Sequence, residues 1–185
     1  MSTDGGSDGA DLVKVVVDLP DDGWSGFATE RLWAVRTGPT TAVLDNNPFF
    51  ARGLAYGDEV QFEEDAGGEL RVTGVVAHSG YCSIRIAPLD RTDEFRDLEV
   101  QAGIRAVFVP LGVSCEMAGP RLFNLVALAV PPSCDFAAVR RALLEGEQAD
   151  RWSFEEGCIT PEWRALGGDD PGDEGDPDER PVSPS

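Results

Sequence analysis

Histidine is almost missing from this chain: His78 is the sole one among 185 residues. A zinc site would therefore draw most of its ligands from the four cysteines, Cys82, Cys115, Cys134 and Cys158, and no two of them are spaced C-x-x-C. That argues against a metal centre, and in a reducing compartment the four read as buried apolar thiols. Long apolar runs are missing as well. The longest, near 125–130, falls far short of the roughly 20 residues that span a bilayer. No basic segment leads into an apolar stretch at the N-terminus. The expectation is a cytoplasmic chain, neither secreted nor membrane-spanning. Nucleophile-elbow, P-loop and dinucleotide fingerprints are also lacking, so the glycines give no cofactor signal and no cofactor is expected.

Basic residues are scarce. Fifteen Lys and Arg stand against 34 Asp and Glu, a formal charge of -19. A field of that sign repels phosphate backbones and anionic headgroups, which excludes nucleic acid and membrane surfaces as natural partners. From Gly167 onward seven acids and one base contribute -6, leaving -13 on the rest. An acidic body of this kind serves solubility or a basic protein partner.

What is present reads as an α+β fold with two parts. Residues 1–10 and 167–185 are built of Gly, Ser, Asp and Pro, which bury too little apolar area to offset ordering entropy, and both are expected to be disordered tails. Segments 11–19, 29–36, 40–44, 58–64 and 69–77 are alternating or β-branched and closed by Gly, Pro, Asp or Asn. Five such strands predict a small β-barrel-like subdomain over 11–78. Within it, Asn47, Pro48 and Gly53 predict a single helical turn, with Phe49 and Phe50 plugging the barrel's open end. Over 79–160 the rhythm changes. A strand at 81–88, a helix from an Asp90 or Thr92 cap to about 109, strands at 113–117 and 122–130 around a turn at 118–120, a helix at 135–147 and a strand at 152–156 give βαββαβ, a ferredoxin-like subdomain. Gly103 weakens the first helix and Pro110 ends it.

Residues that could carry chemistry are few. His78 ends a strand beside Ser79 and Gly80, where a structural role is the commoner one. Ser133-Cys134-Asp135 reads as a helix cap. Glu155 and Glu156 lie on an expected edge strand, where Arg85 of the neighbouring strand can face one of them. Trp33, Phe49, Phe50, Tyr56 and Tyr81 are candidates to line a groove between the two parts, with core packing as the alternative. Cys82 and Cys158 approach one another if the last strand pairs with the first of the βαββαβ unit.

The string NNPFFARGLAYGDEV, followed by SGYCSIRI, by an apolar strand ending in Pro131-Pro132, and by W-S-F-E-E at 152–156, resembles the bacterial family catalogued as domain of unknown function 4265. The likeness runs over about 29–158 and carries no activity with it. Tyr81-Cys82 departs from the small polar or His residues expected there. Pro48, Gly53, Gly57 and Asp58 have backbone explanations in this pattern, whereas Arg85, Glu155 and Glu156 do not, which makes those three the first candidates for function. Two expectations follow. The first is a non-catalytic binding protein, either an acidic inhibitor or immunity-type protein for a basic partner or a small-ligand binder. The second is a small biosynthetic enzyme that holds an anionic substrate on Arg85 and uses Glu155 or Glu156 as base. A homo-oligomer is a further option, through an exposed sheet face or edge.

Overall fold

The computed structural model describes residues 11–21, 26–89, 94–119 and 124–167. The expected tail at 1–10, the expected 167–185 tail beyond its first residue, the Asp90 or Thr92 helix cap, and the turn and strand start at 120–123 lie outside the described residues.

The protein is a mixed α and β fold with two sheets. Strands β1 (Leu12–Asp18), β2 (Thr29–Arg36), β3 (Thr41–Leu44), β4 (Glu59–Glu64) and β5 (Leu70–Ala77) pair in order, and β5 closes on β1 as a barrel. The closing pair is parallel, at Val15 with Leu70 and Val16 with Arg71, and the other neighbours are antiparallel. Two register shifts in the β4–β5 pair supply the local twist that so small a barrel needs. The alternation of β2 decides its faces. Leu32 and Ala34 point into the barrel core with Val15, Leu44, Val60 and Phe62, while Arg31 and Trp33 point out.

Strands β6 (Cys82–Pro88), β7 (Ser114–Met117), β8 (Val126–Val130) and β9 (Trp152–Cys158) form an antiparallel sheet in the order β7-β8-β6-β9. Helix α1 (Glu94–Phe108) joins β6 to β7, and α2 (Phe136–Gln148) joins β8 to β9. Ile104 and Phe108 of α1 and Val139 and Leu143 of α2 bury one sheet face over Ile84, Ile86, Leu128 and Trp152. Asp135 caps α2 through the Ala138 N–H, as its position before the helix predicts. Pro110 stands in a single 3-10 turn, Val109–Leu111, just past the end of α1. A four-residue helix, α3 (Pro161–Arg164), was not legible in the pattern. Thr160 caps it and buried Trp163 anchors it. Among the described residues no helix is long and apolar enough to cross a membrane.

The connection from β3 to β4, residues 45–58, lies between barrel and sheet and differs from expectation in two ways. It contains no helical turn, because its amides are satisfied otherwise. Buried Glu30 of β2 accepts the N–H groups of Phe49, Phe50 and Ala51 at 2.7, 3.0 and 2.7 Å. Nor do the two phenylalanines plug the barrel. Ala51 and Leu54 join the barrel core, while Phe50 turns outward to Phe27, Ala118 and Leu125, with Phe49 packed beside it. The connection is also tied to the sheet, since the Asn47 N–H donates to Glu116 at 2.8 Å and the Gly53 N–H to the Gly157 carbonyl at 2.8 Å. Burial pushes the Glu116 carboxyl up, opposed by that Asn47 bond.

Candidate functional site

Asp58 organises the rim where the barrel meets β9. It opens β4 with its side chain only 1% exposed, and four donors converge on its carboxylate. Oδ1 accepts from the Ser79 N–H at 2.8 Å and the Ser79 hydroxyl at 3.0 Å. Oδ2 accepts from the Ala55 N–H at 2.9 Å and lies 3.1 Å from His78 Nδ1. Two turns are locked together by this one side chain, and Gly57 permits the approach: a Cβ there would meet the Ser79 Cβ at 3.1 Å, and its φ of +79° favours glycine. A carboxylate offers only lone pairs, so His78 Nδ1 is the donor in this contact.

Cys158 comes to the same place from the other side. Beyond Glu156 the β6–β9 register slips at Gly157: Ile84 pairs with Glu156, but Ser83 pairs with Cys158. The bulge turns Cys158 onto the face shared by Ser83 and Arg85 and away from the helix-covered face of Glu156. Only glycine fits at the bulge, since a Cβ on Gly157 would stand 2.4 Å from Arg85 Nη2. As a result, ligating atoms of Asp58, His78 and Cys158 all lie within 4.8 Å of one another.

His78 and Cys158 open on a cleft of about 510 Å³, with Asp58 buried behind them. His78, Gly80 and Tyr81 form one wall, and Cys158, Thr160, Glu162 and Arg164 form the other. The Tyr81 ring is backed by Tyr56 at 5.2 Å. The second wall is held by Trp163, fully buried, whose indole N–H donates to Glu156 at 2.8 Å.

The candidates named from sequence are distributed differently from the expected groove. Tyr81 is on the cleft wall. Trp33 is 44% exposed on the barrel exterior, with the Lys14 ammonium 4.5 Å over its ring, and Phe49 and Phe50 pack between barrel and sheet. Arg85 does face Glu155 across the β6–β9 pair, as the strand order predicts. Its guanidinium is buried, however, and donates to the carbonyls of Phe50 at 2.8 Å and of Phe49 and Ala51 at 3.4 Å. Glu30 thus holds the N–H groups of 49–51 and Arg85 their carbonyls, which corrects the reading of Arg85 as an anion-holding residue. Glu155 binds Arg52 at 2.9 Å. Glu155 and Glu156 do not act as a pair, because adjacent strand residues face opposite sides and Glu156 serves the Trp163 indole. Arg52, Arg85 and Glu155 do border a smaller hollow of about 270 Å³, whose charges already engage one another. Asp58, His78 and Cys158 as a group were missed. Their separation in sequence hides them, and the one available signal was a lone His next to a turn that an acidic residue could cap.

Fold and site define an α+β protein of two sheets with a cleft at their junction. The chain belongs to the family described as Domain of unknown function (DUF4265), whose model matches residues 30–154. A solved structure described as "Novel crystal structure of a hypothetical protein from Neisseria gonorrhoeae" is similar, with a TM-score of 0.63 and 23% identity, covering 79% of this chain and 94% of that one. That likeness extends to the fold. No curated protein matches.

Proposed function

We propose that this protein binds a small molecule in the cleft between the barrel rim and β9–α3. The observation that carries the reading is the convergence of His78, Tyr81, Cys158 and Thr160 on a cavity of about 510 Å³. That volume lies within the roughly 300–1,000 Å³ usual for ligand sites. The Tyr81 ring offers a stacking face, Thr160 a hydroxyl, and Glu162 and Arg164 a charge of each sign at the rim. The hollow beside Arg85 supports ligand binding less well, since its arginines are committed to Glu155 and to the 49–51 carbonyls. Titrating a fragment library into 15N-labelled protein tests the reading. The expected outcome is shifts concentrated at the amides of Gly53, Gly80, Tyr81 and Thr160. A library that leaves those amides still while moving others refutes it.

A basic protein partner is the second reading, favoured by the charge of -19. A salt-sensitive stoichiometric partner retained on the tagged protein would support it. The strand order β7-β8-β6-β9 within the βαββαβ run supports a ferredoxin-like unit following a barrel. The cysteines, all among the described residues and none in a disulfide, support a reducing compartment such as the cytoplasm.

A further inference from the structure

We infer that Asp58, His78 and Cys158 bind a zinc ion at the back of the cleft, through Asp58 Oδ2, His78 Nδ1 and Cys158 Sγ, with a fourth position open to the cleft. This goes beyond the small-molecule reading and does not depend on it.

Three observations carry it. The first is the donor set. A carboxylate oxygen of Asp58, a ring nitrogen of His78 and the sulfur of Cys158 lie within 4.8 Å of one another. Oxygen, nitrogen and sulfur together suit a borderline ion such as zinc, whereas magnesium and calcium take oxygen ligands. Three protein ligands with one position left over is the pattern of zinc sites that meet a small molecule, and His78 and Cys158 both line the cleft.

The second is spacing. Zinc bonds of about 2.0–2.1 Å to oxygen and nitrogen set two tetrahedral ligands about 3.3 Å apart, and a bond of about 2.3 Å to sulfur sets the sulfur about 3.6 Å from either. Asp58 Oδ2 and His78 Nδ1 already stand 3.1 Å apart. From a separation of 4.8 Å or less, the sulfur has at most about 1.2 Å to close.

The third is the shell behind the ligands. A carboxylate has about four lone-pair sites. The Ser79 N–H and hydroxyl take Oδ1, and the Ala55 N–H shares Oδ2 with His78. An ion entering between Oδ2 and Nδ1 replaces only the Nδ1 proton. The ring then carries its proton on Nε2, and the thiol releases its own to water. The Ala55 and Ser79 bonds stay and keep the carboxylate aimed, the part that outer-shell donors play at metal sites. One carboxylate and one thiolate match the charge of the ion. Asp58 and Cys158 are buried while His78 is exposed, so the site is partly desolvated yet has an entry path.

Spacing in the sequence points away from a metal because it registers ligands only a few positions apart. These three come from the residue before β4, the residue after β5 and the last residue of β9, and the bulge at Gly157 turns the third toward the other two.

The test uses the untagged full chain, stripped with a chelator. Zinc titrated in competition with a chromophoric chelator should saturate at one ion per chain. Cobalt in its place should show a thiolate-to-cobalt charge-transfer band and the intense visible bands of a four-coordinate ion. Cys158→Ser should abolish the charge-transfer band. His78→Gln keeps a donor for Asp58 and should weaken zinc by about 100-fold or more, since loss of an outer-shell partner alone costs about 10–100-fold. The His78 side chain is 62% exposed, so without metal this variant should melt where the parent does. Zinc should raise the melting temperature of the parent and of Cys115→Ser, and leave that of Cys158→Ser unmoved. No saturable one-to-one binding, a cobalt spectrum without the sulfur band, or equal zinc affinity in parent and His78→Gln would each overturn the inference. Fragments that move the cleft amides of a chain that takes up no zinc would overturn the zinc site and leave the small-molecule reading standing.

Discussion

Alanine at Gly146 should destabilise the protein, while alanine at Gly103 should stabilise it, although both glycines lie inside helices. Intrinsic propensity predicts the same sign for both, a gain of about 1 kcal/mol each. Around Gly103 of α1 nothing lies within 4 Å of an added Cβ, so that gain should appear in full. Around Gly146 of α2 the added carbon would stand 1.8 Å from Trp152 Cζ2, 2.0 Å from Cε2 and 2.5 Å from Cη2. Carbon–carbon contact begins near ~3.5 Å, so helix and ring must separate by about 1.7 Å. Neither can do so cheaply. The Trp152 ring is 2% exposed, donates its indole N–H to the Leu143 carbonyl of the same helix at 3.1 Å, and packs 5.9 Å from Phe108. Overpacking of this kind costs about 1–3 kcal/mol, and an overlap this deep belongs at the upper end or beyond. After the propensity gain is deducted, about 2–3 kcal/mol of destabilisation remains, or a Tm fall of roughly 5–10 °C. Thermal melts of both variants by circular dichroism decide the matter. A Gly146→Ala protein that melts at or above the parent would refute the steric argument, and a Gly103→Ala protein that melts lower would refute the assignment of open space there.

Two further outcomes follow from buried groups. Glu30→Gln replaces one accepting oxygen by an NH₂ that faces backbone N–H donors of 49–51, and should cost about 2–4 kcal/mol, read as a lower urea midpoint at unchanged m. An unchanged midpoint would mean that Glu30 does not hold this segment. Burial pushes the Cys115 thiol up to about 11, which keeps it neutral through the physiological range. Its alkylation by iodoacetamide should therefore be slow at pH 8 and rise about tenfold per pH unit toward 10, and a rate already flat by pH 9 would contradict that environment.

Much of the fold could be read from local pattern. The eight-residue alternation of β2, the β-branched run of β1 and the proline just after α1 reflect near-neighbour sterics and burial periodicity, and the elements fall within a few residues of where those predict. One legible signal went unused. Glu30 shares strand parity with Leu32 and Ala34, so the alternation itself points a carboxylate inward, where it needs donors. The 45–58 connection then takes its shape from that distant side chain and not from its own helix-capping residues.

By itself, then, the sequence determined the acidic charge, the order of strands and helices, the apolar faces that bury them and the membership of a family. Each of these depends on composition or on residues a few positions apart. Only the tertiary structure decided that Arg85 supports a loop, that Glu155 and Glu156 part company, and that a one-residue bulge at Gly157 carries Cys158 to His78 and Asp58. Those outcomes depend on register and on approach between segments 20 to 100 positions apart. A single slipped pairing reverses which face a side chain takes, and no local propensity encodes it.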